Sequence, residues 1–168
     1  FDKLITVEDG VLEKDSTIDI SACFGIFKFG ILPVDDPRMV RAREVLRTTL
    51  HDPIQTGGYA RYEHDAYYEV TRDVPGNPWF ITTLWMVQYD IKCAKTEEDL
   101  ARVNEELLWV VNRALASGIL SEQIHPYTGE QLSVSPLTWS HAEYVLTVIA
   151  YLERLEELGV CTVCYPVG

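Results

Sequence analysis

A chain of 168 residues with 47% hydrophobic content fits one globular domain with a substantial core. Its 26 acidic and 14 basic residues give a net charge of -12, which argues against a nucleic-acid partner and leaves neutral or cationic ligands open. No run of about 18 apolar residues is present, so nothing reads as a membrane span, and Phe1 opens neither a signal peptide nor an ordinary translation start, so the sequence reads as a piece of a longer chain.

Apolar positions recur at helical spacing in several long segments and strand-like alternation is scarce, which predicts an all-α fold of about five to six helices. The first helix covers Ile18 to Phe29. Asp35-Asp36-Pro37 caps and starts a second that runs through Val40, Val45, Leu46 and Leu50. A long loop near 52 to 76 follows, and Pro75-Gly76-Asn77-Pro78 opens a third helix through Trp79, Phe80, Leu84, Val87 and Ile91. Thr96 with Asp99 makes a capping-box-like start for a fourth helix that ends near Ala116-Ser117-Gly118. A second long loop occupies 118 to 135. Ser135-Pro136 then reads as an N-cap with proline at the first helical position, and the fifth helix continues to Leu158 with Gly159 as its C-cap. Long loops without structure of their own tend to be functional.

The four cysteines, Cys23, Cys93, Cys161 and Cys164, are too few and too scattered for a disulfide scaffold. Reduced thiols are the default, which suits a cytoplasmic location, whereas a signal upstream of Phe1 would make the protein secreted. Cys161 and Cys164 form a CxxC, but zinc would need a second ligand pair and the tail lacks a βαβ context, so neither a metal nor a redox role is expected there.

Three blocks carry the candidate chemistry. In GGYARYEHDAYYEV, Gly57 to Val70, Arg61 supplies planar donors and Asp65 supplies acceptors, which suits either a fork for adjacent sugar hydroxyls or an ion pair that pins the loop. In GNPWF, Gly76 to Phe80, Trp79 suits either a core position or a ring face presented to a ligand. The richest block is SEQIHPYTGEQLSVSPLTWSHA, Ser121 to Ala142, where Glu122 and Gln123 lie between Leu120 and Ile124 on a loop that reads as covered, followed by Trp139. A glutamate there is either a general base or a capping or surface group. His141 and Glu143 read as packing and surface residues, since one histidine without a second ligand makes a weak zinc site. No GxSxG elbow and no phosphate-cradling glycine loop is present.

Taken together, ARYEHDAYY, then GNPWFITTLWMVQYDI, then SGILSEQIHPYTGEQLSVSPLTWSHAEYV resemble glycoside hydrolase family 15, the glucoamylase-like enzymes that include glucodextranases and some trehalases. The preceding DSTIDISACFGIFKFGILPVDDPRMVRA resembles the corresponding segment of prokaryotic members. The resemblance implies part of an (α/α)6 toroid whose loops bind the non-reducing end of an α-glucan or other α-glucoside and release glucose with inversion. Glu122 matches the general base, Arg61 and Asp65 match residues that grip the terminal glucose, Trp79 and Trp139 match aromatic walls, and Gln123 matches a supporting polar neighbour of the base. The chemistry needs no cofactor, only water and two carboxylates about 6.5 to 9.5 Å apart, one ionised and one protonated.

The family's general acid lies N-terminal to everything in this sequence. The 168 residues therefore correspond to the C-terminal portion of the catalytic domain, and the isolated segment is expected to be inactive, self-associated, or completed by the missing half. Family 15-like domains also occur in the regulatory subunits of phosphorylase kinase, which makes a non-catalytic carbohydrate-binding or regulatory module the competing reading. The joint presence of Glu122, Arg61, Asp65, Trp79 and Trp139 favours the hydrolase.

Overall fold

The computed structural model describes residues 1–51 and 56–160. It opens on an antiparallel hairpin, β1 (Leu4–Glu8) and β2 (Val11–Asp15), which the sequence analysis leaves unassigned. Its turn is Asp9-Gly10, with both residues at positive φ (50° and 80°), the backbone that matches the twist of two paired strands and that Asp-Gly adopts readily. Five helices follow: α1 (Ile20–Lys28), α2 (Pro37–Leu50), α3 (Phe80–Cys93), α4 (Glu97–Val111) and α5 (Thr138–Glu157). A two-residue pair, β3 (Gln123–Ile124) with β4 (Gln131–Leu132), closes the loop between α4 and α5.

Local chemistry explains most helix starts. The Asp19 carboxylate accepts the Ser21 N–H at 2.8 Å, so α1 begins two residues later than Ile18. Asp36 caps α2 with Pro37 in its first turn, and Thr96 and Asp99 complete a reciprocal capping box on α4.

Two boundaries differ from expectation because tertiary bonds compete for the same backbone. Helix α4 stops at Val111 rather than near Ser117: the Gln131 side-chain amide takes the carbonyls of Arg113 and Ile119 at 2.9 and 2.8 Å, and Leu115 donates to Ile119 at 3.0 Å. Helix α5 starts at Thr138, with Leu137 and not Ser135 at its N-cap, because the Leu137 N–H is drawn 3.0 Å to the Leu120 carbonyl. Pro136 thus precedes the helix, and the Ser135–Pro136 bond is cis. At the other end Gly159, at φ 70°, donates to the Glu156 carbonyl and terminates α5 as expected.

Helix α3 is the centre of the assembly, buried on nearly every side. One face, Ile81, Trp85 and Tyr89, packs with Ile20, Cys23 and Phe27 of α1 and Met39, Leu46 and Leu50 of α2. The opposite face, Phe80, Leu84, Val87 and Ile91, packs with Val103, Leu107 and Val110 of α4 and with Tyr144, Val148 and Tyr151 of α5. Polar ties fix the ends. Arg43 of α2 donates to Asp90 at 2.5 Å, and Arg154 of α5 donates through Nε to the Ala94 carbonyl just past the C-terminus of α3 at 3.0 Å. Gly58, at φ 87°, lets the chain cross Trp109, where an added Cβ would stand 2.5 Å from the ring. Cys161 and Cys164 fall outside the described residues.

Glu106 sits half-buried on α4 beside a cleft lined by Arg43, Arg47, Asp90 and Arg102, and its Oε2 has no partner among the described residues. Burial, reinforced by the Asp90 charge and opposed by Arg47, raises its pKa from an ordinary 4.5 to about 7. The folded chain therefore holds a proton that the unfolded chain releases between those values. The associated stability is complete below pH 4.5 and lost as the pH rises through about 7. Glu106→Gln is expected to leave urea unfolding at pH 4.5 nearly unchanged and to stabilise the protein by about 2 kcal/mol at pH 8.

Candidate functional site

A run of single antiparallel bridges, His51 to Tyr59, Tyr59 to Trp79 and Trp79 to Gln123, continues into the β3–β4 pair and ties the α2–α3 and α4–α5 loops together above the helices. Trp79 donates its N–H to Tyr59, Ile124 donates to Pro78 at 2.8 Å, and Phe80, the first residue of α3, donates to the Glu122 carbonyl at 3.3 Å. Thr82 and Thr83 support the same ladder from below, their hydroxyls bonding the Tyr59 carbonyl and the Trp79 carbonyl at 2.7 Å each. Glu122 is thereby fixed at the N-terminus of α3. Its own N–H donates to Val134 at 2.9 Å, and its Oε2 accepts the Ser133 hydroxyl at 2.5 Å.

Above the ladder lies a cavity of about 360 Å³ lined by Asp19, Ser21, Arg61, Tyr62, Trp79, Ile81, Thr82, Trp85, Glu122 and Trp139. Four of the six candidate residues, Glu122, Arg61, Trp79 and Trp139, thus share one wall although up to 78 positions separate them in the sequence. Asp65 and Gln123 do not reach it. Asp65 stands one hydrogen bond behind Arg61, and Gln123 lies beneath the wall next to Glu122 in the chain.

Asp65 is 1% exposed and grips Arg61 in a two-pronged pair, Nε to Oδ2 at 3.0 Å and Nη2 to Oδ1 at 2.9 Å. Nη1 takes no part in that pair. The ion-pair reading of this motif is therefore realised, and its guanidinium still faces the cavity, flanked by the Trp79 ring at 4.5 Å and the Tyr62 ring at 4.7 Å. Burial works against the charge of Arg61, but the Asp65 partner outweighs it and the pKa rises. Gln123 is fully buried, and its Oε1 accepts 2.8 Å from Asn77 of the GNPWF block, whose amide also bonds the Tyr68 carbonyl.

Trp79 combines the two readings open to it, buried to 4% yet on the cavity wall. Trp139, on the first turn of α5, is 50% exposed and leans on Trp85 with ring centroids 5.8 Å apart. The indole N–H groups of Trp79 and Trp85 are buried and have no partner among the described residues.

Asp19, Tyr62 and Trp85 also line the cavity, although none stands out in the sequence as a candidate. Asp19 falls inside the helix expected from Ile18 and acts instead as its cap; its carboxylate bonds Ser21 and stands 3.5 Å from Lys3. Trp85 follows Trp79 by six positions and reads as an ordinary core residue, since its place on the wall depends on stacking over Phe24 of α1 at 4.2 Å. Glu143 corrects the surface reading: it is 8% exposed and bonded to α3. His141 does pack, its Nε2 accepting the Leu120 N–H at 3.1 Å. Among the described residues, no three His, Cys, Asp or Glu side chains could hold a metal, and no helix is long and apolar enough to cross a membrane.

The comparisons with known proteins agree with this architecture. The pattern for glycosyl hydrolases family 15 matches residues 90–149. An uncharacterized glycosyl hydrolase of Methanocaldococcus jannaschii is 33% identical over 143 residues, 80% of this chain and 22% of that protein. A glucoamylase of a Clostridium species is 29% identical over 153 residues, 86% of this chain and 21% of that protein. Among solved structures, a bacterial glucoamylase complexed with acarbose superposes with a TM-score of 0.71 at 25% identity, covering 90% of this chain and 23% of the other. A wild-type glycosidase superposes at 0.62 with 26% identity, covering 92% and 40%. These matches make the chain similar to glycosyl hydrolases family 15 and to glucoamylase-like proteins, and its helices form part of an (α/α)6 toroid. The chain spans about a fifth of the length of the curated relatives it matches.

Asp65→Ala would leave the Arg61 guanidinium half-covered and unpaired, and remove the acceptor of the Tyr67 N–H as well. The expected loss in urea unfolding is about 2 kcal/mol, discounted because water reaches Arg61.

Proposed function

We propose that this chain supplies the general-base half of an inverting, exo-acting glycoside hydrolase that releases glucose from the non-reducing ends of α-glucans. One observation carries the reading: Glu122, oriented by Ser133, stands on one wall with a paired arginine and three tryptophans. An apolar sugar face suits the indole rings, and Arg61 suits a hydroxyl edge. The net charge of -12 does not repel a neutral glucan. Similarity to a glucoamylase and to a glucoamylase complexed with acarbose supports a carbohydrate substrate.

In the proposed reaction Glu122 takes a proton from water as the water attacks the anomeric carbon, while a second carboxyl group on the opposite side protonates the departing oxygen. Asp19, the other carboxylate on the wall, is committed to capping α1 and to Lys3. The resemblance to glycoside hydrolase family 15 implies an acid N-terminal to this sequence, and the segment by itself is proposed to be inactive. A regulatory module would find no use for a carboxylate held ready by a serine in a tryptophan-walled cavity.

The test is glucose release from soluble starch, maltose and dextran by the full-length protein. Glu122→Gln is expected to lower kcat by about 10²- to 10⁴-fold, with the β-anomer appearing first in the wild type. Activity that survives Glu122→Gln, or an α-anomer as first product, would overturn the assignment. Ser133→Ala removes the hydroxyl that aims the base and is expected to lower kcat by about tenfold with little change in KM.

A further inference from the structure

Trp139 is the most exposed ring on the cavity wall, and an exposed indole is free to turn unless something holds its polar edge. Its N–H donates 3.2 Å to Oε1 of Glu143, one helical turn along α5. The other oxygen of Glu143 accepts 2.8 Å from the side-chain amide of Gln88, near the middle of α3. The same amide nitrogen lies 3.0 Å from the Thr147 hydroxyl, which itself donates to the Glu143 carbonyl at 2.6 Å. The Lys28 ammonium at the end of α1 reaches the Gln88 oxygen at 3.3 Å. A cation at that oxygen dictates which way the amide points, so its NH2 group is obliged to face Glu143.

We propose that Glu143 is a positioning residue of the sugar site, locking the Trp139 indole through a chain of hydrogen bonds that runs from Lys28 through Gln88. The proposal rests on the hydrolase reading given above. A carboxylate this deeply covered, without a cation in contact, is unfavourable unless its oxygens meet donors, and here the two oxygens meet two N–H groups aimed from different helices. The bond occupies the indole N–H, so Trp139 offers the sugar its ring face and not a donor. Trp85, 7% exposed and with its N–H buried, supports the Trp139 ring from below at 5.8 Å.

The test is a double-mutant cycle in the full-length protein, read by maltose kinetics and by tryptophan emission. Glu143→Gln can serve only one of the two donors with its single oxygen, and is expected to raise KM by about fivefold to tenfold with kcat within about threefold. In a Trp139→Phe background the same change should raise KM by less than about twofold, because the residue through which it acts is gone. The emission difference between wild type and Glu143→Gln should likewise vanish in that background. A KM effect that persists undiminished beside Trp139→Phe, or emission and KM both unmoved by Glu143→Gln, overturns the proposal. Should Glu143→Gln fail to fold, Gln88→Leu breaks the chain without touching either Glu143 or Trp139 and is expected to shift KM in the same direction; an unchanged KM there overturns it. If the wild type releases no sugar at all, the hydrolase reading fails, and the emission cycle alone decides whether Glu143 holds the ring.

Discussion

Everything at the candidate site depends on one backbone feature, the ladder of single bridges that passes through Trp79. Helices alone would leave the two long connections, α2–α3 and α4–α5, independent of one another, and a loop side chain would then sample many positions. The ladder removes that freedom by giving each loop backbone partners from the next: Tyr59 from the arginine loop, Trp79 from the start of α3 and Gln123 from the glutamate loop. Arg61 and Glu122 each lie within two residues of a bridge, so their distance from Trp79 is set by backbone hydrogen bonds rather than by side-chain packing.

The ladder in turn rests on α3. A helix buried on both faces cannot shift without opening two cores, and its first turn lies directly beneath Trp79 and the Glu122 carbonyl. The threonines at 82 and 83 convert that rigidity into register, because their hydroxyls bond the ladder while the side chains of the neighbouring Phe80, Ile81 and Leu84 only pack. The polar chain from Lys28 through Gln88 to Glu143 crosses the same helix lower down. Helix α3 therefore serves both the glutamate and the tryptophan sides of the cavity.

How much of this was legible beforehand varies with the range of the interaction. Caps are local, and Asp36-Pro37, Thr96 with Asp99 and Gly159 each act as their spacing indicates. The Asp9-Gly10 turn was equally local, a two-residue signal between apolar stretches, and the hairpin it makes shows that a short strand pair is easily lost among helical periodicities. The end of α4 and the start of α5 were not legible, since Gln131 and Leu120 act on them from across a loop.

The sequence by itself determined the all-α class, the helix count, the family resemblance and the short set of residues able to do chemistry, because periodicity, capping and motif spacing are properties of neighbours along the chain. Only the tertiary structure decided which of those residues reach the cavity and which stand behind it. Asp65 and Gln123 are indistinguishable in sequence from Arg61 and Glu122 as polar loop residues, yet burial turns the first two inward as supports. Glu143 is the plainest case: a glutamate on an amphipathic helix reads as surface, and it lies inside because Gln88, 55 residues earlier, offers it a hydrogen bond that no local pattern encodes.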